Sequence, residues 1–177
     1  MNQPIKIIPF QPENKVYQNK FLEFPFLLYD GDPNWVPPLR MDIRNIFNRK
    51  KHGFYNHGEA HFLLAMKGDR TVGRLVMLHN RGPISGNVQE TANFFLFEVE
   101  ENYTIAEKLL DHGVKWANDR NLKRIFGPKG MTPMDGLGLL VRGFDYRPAF
   151  GMPYNQKYLP EFLTEYGFQI ERETESG

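Results

Sequence analysis

The sequence predicts an α/β (α+β) domain, a mixed and mostly antiparallel central sheet flanked by helices. Two observations carry this. Short apolar runs bounded by Gly, Pro and Asn alternate with segments of helical period, and the runs within 61–80 are joined by a turn that only an antiparallel pair can use. At 177 residues the chain fits a single domain, 1–177, able to bury roughly 70% of the surface its unfolded form exposes.

The elements follow in order. "IKIIPF", residues 5–10, is a short strand stopped by Pro9 and Pro12. A helix over Asn14–Tyr29 places Val16, Phe21, Leu22, Phe24, Leu27 and Leu28 partly on a 3.6 period, with Pro25 expected to kink or restart it. "DGDPNWVPPL", residues 30–39, holds three prolines and reads as a polyproline-like loop that pins Trp35 to the core or walls a ligand groove. Residues 40–54 read as a short helix with Ile43, Ile46 and Phe47 inward and a solvated basic face. The hairpin within 61–80 turns at "KGDR".

The next strand, Ala92–Val99, sets Phe95, Phe97 and Val99 against Phe94, Leu96 and Glu98. Thr104 and Glu107 then match a capping box, followed by an apolar stripe from Ala106 to Ala117. "KRIFG" at 123–127 returns as a strand. The glycine-rich stretch 128–148 is too long for an ordinary connection, which favours a functional role. A strand at 149–154, a helix at 155–167 ended by Gly167 and a last strand at 168–173 complete the expectation.

Composition excludes several classes. The 22 basic and 21 acidic residues leave a net charge of +1, without the basic footprint of a nucleic-acid partner. No cysteine is present, so disulfides, a thiol nucleophile and thiolate metal sites are excluded. No run approaches about 18 apolar residues, and the N-terminus lacks a secretory pattern, so a cytoplasmic protein with no membrane partner is expected. His52, His57, His61 and Glu59 are metal-ligand types, but their spacing crosses Gly53 and Gly58 and gives no helical i, i+4 pair, so no metal is expected.

Taken together, "TVGRLV", the strand and capped helix at 92–120 and the terminal "YNQKYLPEFLTEYGFQ" resemble the GNAT superfamily of acyl-CoA N-acyltransferases. More narrowly, "YDGDPNWVPPLRMDI", "FFLFEVEEN", "GLLVRGFD" and "MPYNQKYLPEFLTEYGF" resemble a bacterial family of GNAT-like hypothetical proteins. Members of that family are often longer, so 1–177 is expected to be either a whole domain or the N-terminal part of a longer architecture. The resemblance implies a GNAT-like fold and a cleft for acetyl-CoA or another acyl-CoA where two strands splay. Phe97 and Val99 would pair with the pantetheine arm, Asn102 and Thr104 would lie at the pyrophosphate turn, and Asn155 and Tyr158 would line the thioester side.

Two departures from the superfamily pattern stand out. Its turn motif is (Gln or Arg)-x-x-Gly-x-(Gly or Ala), whereas "EVEENYTIA" has no glycine and carries Glu98, Glu100 and Glu101. A helix N-terminus contributes about 0.3–1 kcal/mol towards an anion, and a carboxylate about 4 Å from it opposes by roughly 1–4 kcal/mol. Leu163 occupies the position where many relatives carry a tyrosine acid.

The expected activity is acyl transfer from an acyl-CoA to the amine of a small molecule by direct attack, with Glu98 as general base and Tyr158 as the catalytic tyrosine. The alternative is a GNAT-fold module that binds a small ligand without acetyl-CoA chemistry. A homodimer is compatible with either.

Overall fold

The computed structural model describes residues 3–82, 90–149 and 151–174, and its five strands form one sheet in the order β1-β2-β3-β4-β5. β1 (Ile5–Phe10), β2 (Gly58–Lys67), β3 (Arg70–Asn80) and β4 (Thr91–Val99) run antiparallel to their neighbours, and β5 (Arg124–Phe126) lies parallel to β4. The β2–β3 hairpin closes Lys67 against Arg70, with Gly68 at φ 61° in the turn as its sequence requires.

α1 (Lys15–Leu28) starts where Asn14 accepts the Tyr17 N–H. It does not restart at Pro25; the proline sits in the last turn, and the helix runs through it. α2 (Arg40–Asn45) is shorter than the expected 40–54, which continues instead into a 3-10 turn over Gly53–Asn56 opened by His52. Both helices cover one face of the sheet, where Phe10, Phe21, Phe47 and Phe62 meet at ring-centroid distances of 4.8–6.2 Å.

α3 (Tyr103–Asn118) covers the other face, setting Ile105, Leu109 and Trp116 against Leu63, Leu75, Met77 and Phe94. Gly73 permits that approach. A Cβ there would stand 2.9–3.0 Å from side-chain carbons of Val99, Ile105 and Leu109. The cap of α3 is Asn102, whose side chain accepts the Thr104 N–H at 3.0 Å; Thr104 lies inside the helix, so the expected Thr104–Glu107 box is not the cap. An amide oxygen one residue before the helix wins because it reaches the second N–H directly.

α4 (Leu159–Tyr166) ends at Gly167, left-handed at φ 111°, with the Phe168 N–H bonded to Leu163 O at 3.0 Å. The strands expected over 149–154 and 168–173 do not form among the described residues. Gly151 takes φ 81° and Pro153 lacks a donor, which breaks the first. The tail meets the sheet through side chains instead: Phe168 packs on Phe94 of β4 at 5.2 Å, and Arg124 of β5 pairs with Glu171 at 2.8 Å. Among the described residues no helix is long and apolar enough to cross a membrane.

Candidate active site

β4 is irregular where the site begins. Its register against β3 shifts between the pairs Arg74↔Glu98 and Val76↔Phe95, so Leu96 and Phe97 together oppose Leu75. This is a β-bulge, and Leu96 takes φ 48° to make it. A leucine in that conformation is strained, and such strain concentrates at functional sites.

The bulge reassigns the faces expected from strict alternation. Phe97 and Val99 join Phe94 on the α3 side, whereas Phe95 and Leu96 pack against the α1-side cluster. Glu98 stays opposite Phe97, on the α1 face. There its carboxylate meets Arg74, with Nε and Nη2 both 2.5 Å from Oε2. The Arg74 side chain is 2% exposed and that of Glu98 14%.

Arg74 reaches further. Its Nη1 donates to Phe21 O at 2.9 Å, and its guanidinium carbon lies 4.8 Å from the Phe21 ring centroid. Phe21 O is the carbonyl that the residue at 25 would bond in a regular helix, and Pro25 has no N–H to give. A buried arginine thus bonds the helix carbonyl left open by proline and the carboxylate of the next strand.

Aromatic residues surround this face. Tyr29 stacks on Trp35 at 4.9 Å, and Phe26 meets Trp35 edge-on at 5.3 Å. Trp35 is half-buried there, anchoring the proline-rich loop. The Tyr29 hydroxyl is buried without a hydrogen-bond partner among the described residues. Burial, then the Glu98 charge, pushes its pKa well above 10. Tyr154 lies 6.0 Å from Tyr29 and donates to Asp32 at 2.8 Å; burial and that bond push it up to about 12. Asn34 and Arg147 bond across to Phe144 O and Pro33 O, so the glycine-rich segment and the loop after α1 close on each other.

Beyond its pairing with β5, the outer edge of β4 is bonded at two points. Lys129 N–H donates to Phe94 O at 2.8 Å, and the Tyr158 hydroxyl donates to Val99 O at 2.7 Å. Between them, along about 16 Å of strand, no backbone hydrogen bond reaches that edge among the described residues. β5 pairs only with Thr91 to Asn93, so the strands part just before this gap.

The sequence-predicted residues fall around the gap in different ways. The Phe97 and Val99 side chains are buried in the α3-side core, which leaves their main chain to face a ligand. Tyr158 borders it; burial, followed by Glu101, Glu100 and Glu98, raises its hydroxyl far above 10, so it keeps its proton at neutral pH. Asn155 is buried, accepts Leu140 N–H at 2.7 Å and donates to Leu140 O and Gln156 O, which spends its side chain on holding the glycine-rich segment. Asn102 and Thr104 are exposed at the first turn of α3. Glu100 is paired with Arg70, which offsets one of the three acidic charges, while Glu101 is exposed. Leu163 fills the core under α3.

The histidines do not converge. His61 is stacked on Trp116 and His112 at 5.8 and 6.2 Å, whereas the His57 ring meets Phe54. Among the described residues no group of three potential metal ligands comes together. Arg74 and Tyr29 were not singled out from sequence. A lone arginine inside the apolar run "TVGRLV" was the available signal, because a charge in a covered strand requires a partner.

The unpaired β4 edge fits the amide-bearing pantetheine arm of an acyl-CoA; at the turn, Arg70 compensates Glu100, but the glycines of the superfamily's phosphate cradle are missing.

No family model matches the chain. Among curated proteins it is similar to the bacterial ceramide synthase of Caulobacter vibrioides, 26% identical over 168 residues that make up 94% of this chain and 43% of that protein. It is also similar to protein YghO of Escherichia coli, 25% identical over 175 residues, 94% of this chain and 44% of that one. The chain therefore spans less than half the length of these curated relatives. Among solved structures, an aminoglycoside acetyltransferase from an uncultured soil metagenomic sample, in complex with sisomicin, matches 98% of this chain and 93% of its own at 14% identity and TM-score 0.58. A predicted acetyltransferase with acetyl-CoA from Clostridium acetobutylicum matches 98% and 96% at 13% identity and TM-score 0.58. A tandem GNAT protein from the clavulanic acid biosynthesis pathway matches 93% of this chain and 43% of its own at 17% identity and TM-score 0.60. The fold is that of the GNAT superfamily, as the sequence resemblance implied.

Proposed function

We propose that this GNAT-fold chain is, or is part of, an N-acyltransferase that moves an acyl group from an acyl-CoA or related thioester to the amine of a small molecule. The observation that carries the reading is the unpaired β4 edge between the Lys129 and Tyr158 bonds, with the Glu98 carboxylate on the same stretch of strand. An acyl-CoA would supply an activated thioester carbonyl.

The main chain from Phe95 to Val99 would hold an amide-bearing arm as an added strand. Asn102 and Thr104 fix the first turn of α3, and the Arg70 partner of Glu100 lowers the opposition to an anion there. Glu98 attracts the acceptor in its ammonium form and takes its proton, and Arg74 holds that carboxylate in place. Tyr158 holds its proton beside the strand end, in a bond to Val99 O that it would give up to protonate the departing sulfur. Asn155 shapes the cleft by fixing the glycine-rich segment. Ceramide is an N-acyl amide, so the name of the Caulobacter relative makes long-chain amino alcohols the first acceptors to assay.

A second reading, a binding module without acyl-CoA chemistry, draws support from exposed Glu101 and from Tyr158 already spending its hydroxyl on Val99 O. Calorimetry against acetyl-CoA and longer acyl-CoAs separates the two. Saturable binding is expected; failure of every acyl-CoA to bind below about 1 mM, weaker than roughly −4 kcal/mol, would sink the transferase reading.

A further inference from the structure

A cavity of about 800 Å³ opens at the far end of β3, on the α1 side of the sheet. Asn80, on its wall, is six residues along β3 from Arg74, which puts it about 20 Å from the acyl-transfer cleft. Its other walls come from the residues after α2, the 3-10 turn and the segment after β5, and buried Phe54 and Met131 supply apolar surface.

Four polar side chains of the lining, Asn48, Asn80, His52 and Thr132, already accept a backbone N–H. Asn48 Oδ1 accepts the Lys51 N–H at 3.2 Å, and Asn80 Oδ1 accepts the Gly82 N–H at 2.9 Å. Each amide is left with its NH₂ group to offer. His52 Nδ1 accepts the Phe54 N–H at 3.4 Å, so the ring hydrogen of the neutral form sits on Nε2. Thr132 Oγ1 accepts the Met134 N–H at 3.3 Å and keeps its own hydrogen to donate. Lys51 adds an ammonium group with no ion pair among the described residues. Among the described residues no acidic side chain lines the cavity, and nearby Asp135 accepts the Thr132 N–H at 2.6 Å.

We propose that this cavity binds a small molecule carrying an anionic oxygen group, a carboxylate or a phosphate, on an apolar body. Five side chains from three segments, Asn48, Lys51 and His52 from one and Asn80 and Thr132 from the others, present donors, and an oxyanion is the ligand group that can accept from several of them at once. The apolar surface of Phe54 and Met131 sets the need for a body beyond the charge. The site stands independently of acyl transfer.

The test is a titration of isotope-labelled protein with hexanoate, hexyl phosphate and hexyltrimethylammonium, followed by NMR at the Asn48 and Asn80 NH₂ groups and the His52 ring. One or both anions should shift these groups saturably, and the tighter of the two identifies the anionic group. Exposed Lys51→Ala should weaken binding by at least about tenfold, and Asn80→Asp, which sets a carboxylate among the donors, should abolish it. Lys50→Ala, outside the lining, should leave affinity within about twofold. No shift with either anion up to about 20 mM, equal binding of the cation, or binding indifferent to Lys51→Ala would each overturn the proposal.

Discussion

Pro25 carries no amide hydrogen, and Arg74, from the neighbouring sheet, bonds the carbonyl this leaves open. The same guanidinium grips Glu98, so a helix-breaking residue in α1 is coupled to the charge at the cleft. Arg74→Met should cost roughly 3–5 kcal/mol, because it strands both Phe21 O and a largely buried carboxylate. In a Pro25→Ala background the substituted residue supplies its own N–H, and the loss should shrink by about 1 kcal/mol. Urea midpoints of the four variants give the cycle. Equal losses in the two backgrounds would break the proposed link.

Glu98→Gln keeps an oxygen for Arg74 but removes the base. Any transferase rate found for the protein should fall at least about 100-fold, with the fold retained by circular dichroism. An unchanged rate would remove Glu98 from the chemistry.

His61 predicts an acid limb in stability. Its Nε2 is buried without a partner among the described residues, and burial, His112 and Arg120 push its pKa down to about 4, with Glu59 acting weakly the other way. Unfolded, the ring takes a proton near 6.5. Between those values the unfolded chain binds more protons, so stability from this residue is full above 6.5 and falls as the pH drops towards about 4. His61→Phe, able to keep the stack on Trp116, should flatten the decline in urea midpoint over that interval. Parallel pH profiles for the two proteins would refute the assignment.

The cap of α3 can be settled by a pair of substitutions. Asn102→Ala should destabilise by about 1 kcal/mol, whereas Thr104→Ala, one turn position inside the helix, should change stability by no more than about 0.5 kcal/mol. The reverse ranking in thermal melts would restore a Thr104 cap.

Regular elements were legible in the sequence where the local pattern was self-sufficient. The "KGDR" hairpin, the apolar stripe of α3 and the Gly167 helix end depend on neighbours within a few residues, and each is found. What escaped depends on partners distant in sequence. Pro25 could remain in α1 because an arginine from β3, far along the chain, supplies the missing donor. The segment 168–173 has strand-like composition, but in the described residues it meets β4 through Phe168 and β5 through Glu171 rather than through backbone pairing. At the site, Glu98 was visible as a strand-end carboxylate, whereas Arg74 and Tyr29 belong to it only through the packing of α1 on β3.

The bulge at Leu96 makes β4 read in two frames. Upstream, even-numbered residues such as Ala92 and Phe94 point to α3; downstream, odd-numbered Phe97 and Val99 do. Because the extra residue is absorbed in the bulge and not in the alternation, Glu98 stays on the α1 side. Without Leu96 the strand would alternate strictly, Phe95 opposite Val76 and Glu98 opposite Arg74 as now, so every side chain would keep its layer. What the added residue changes is the shape of the strand, its bend and twist beside the unpaired edge, and not the allegiance of the acid.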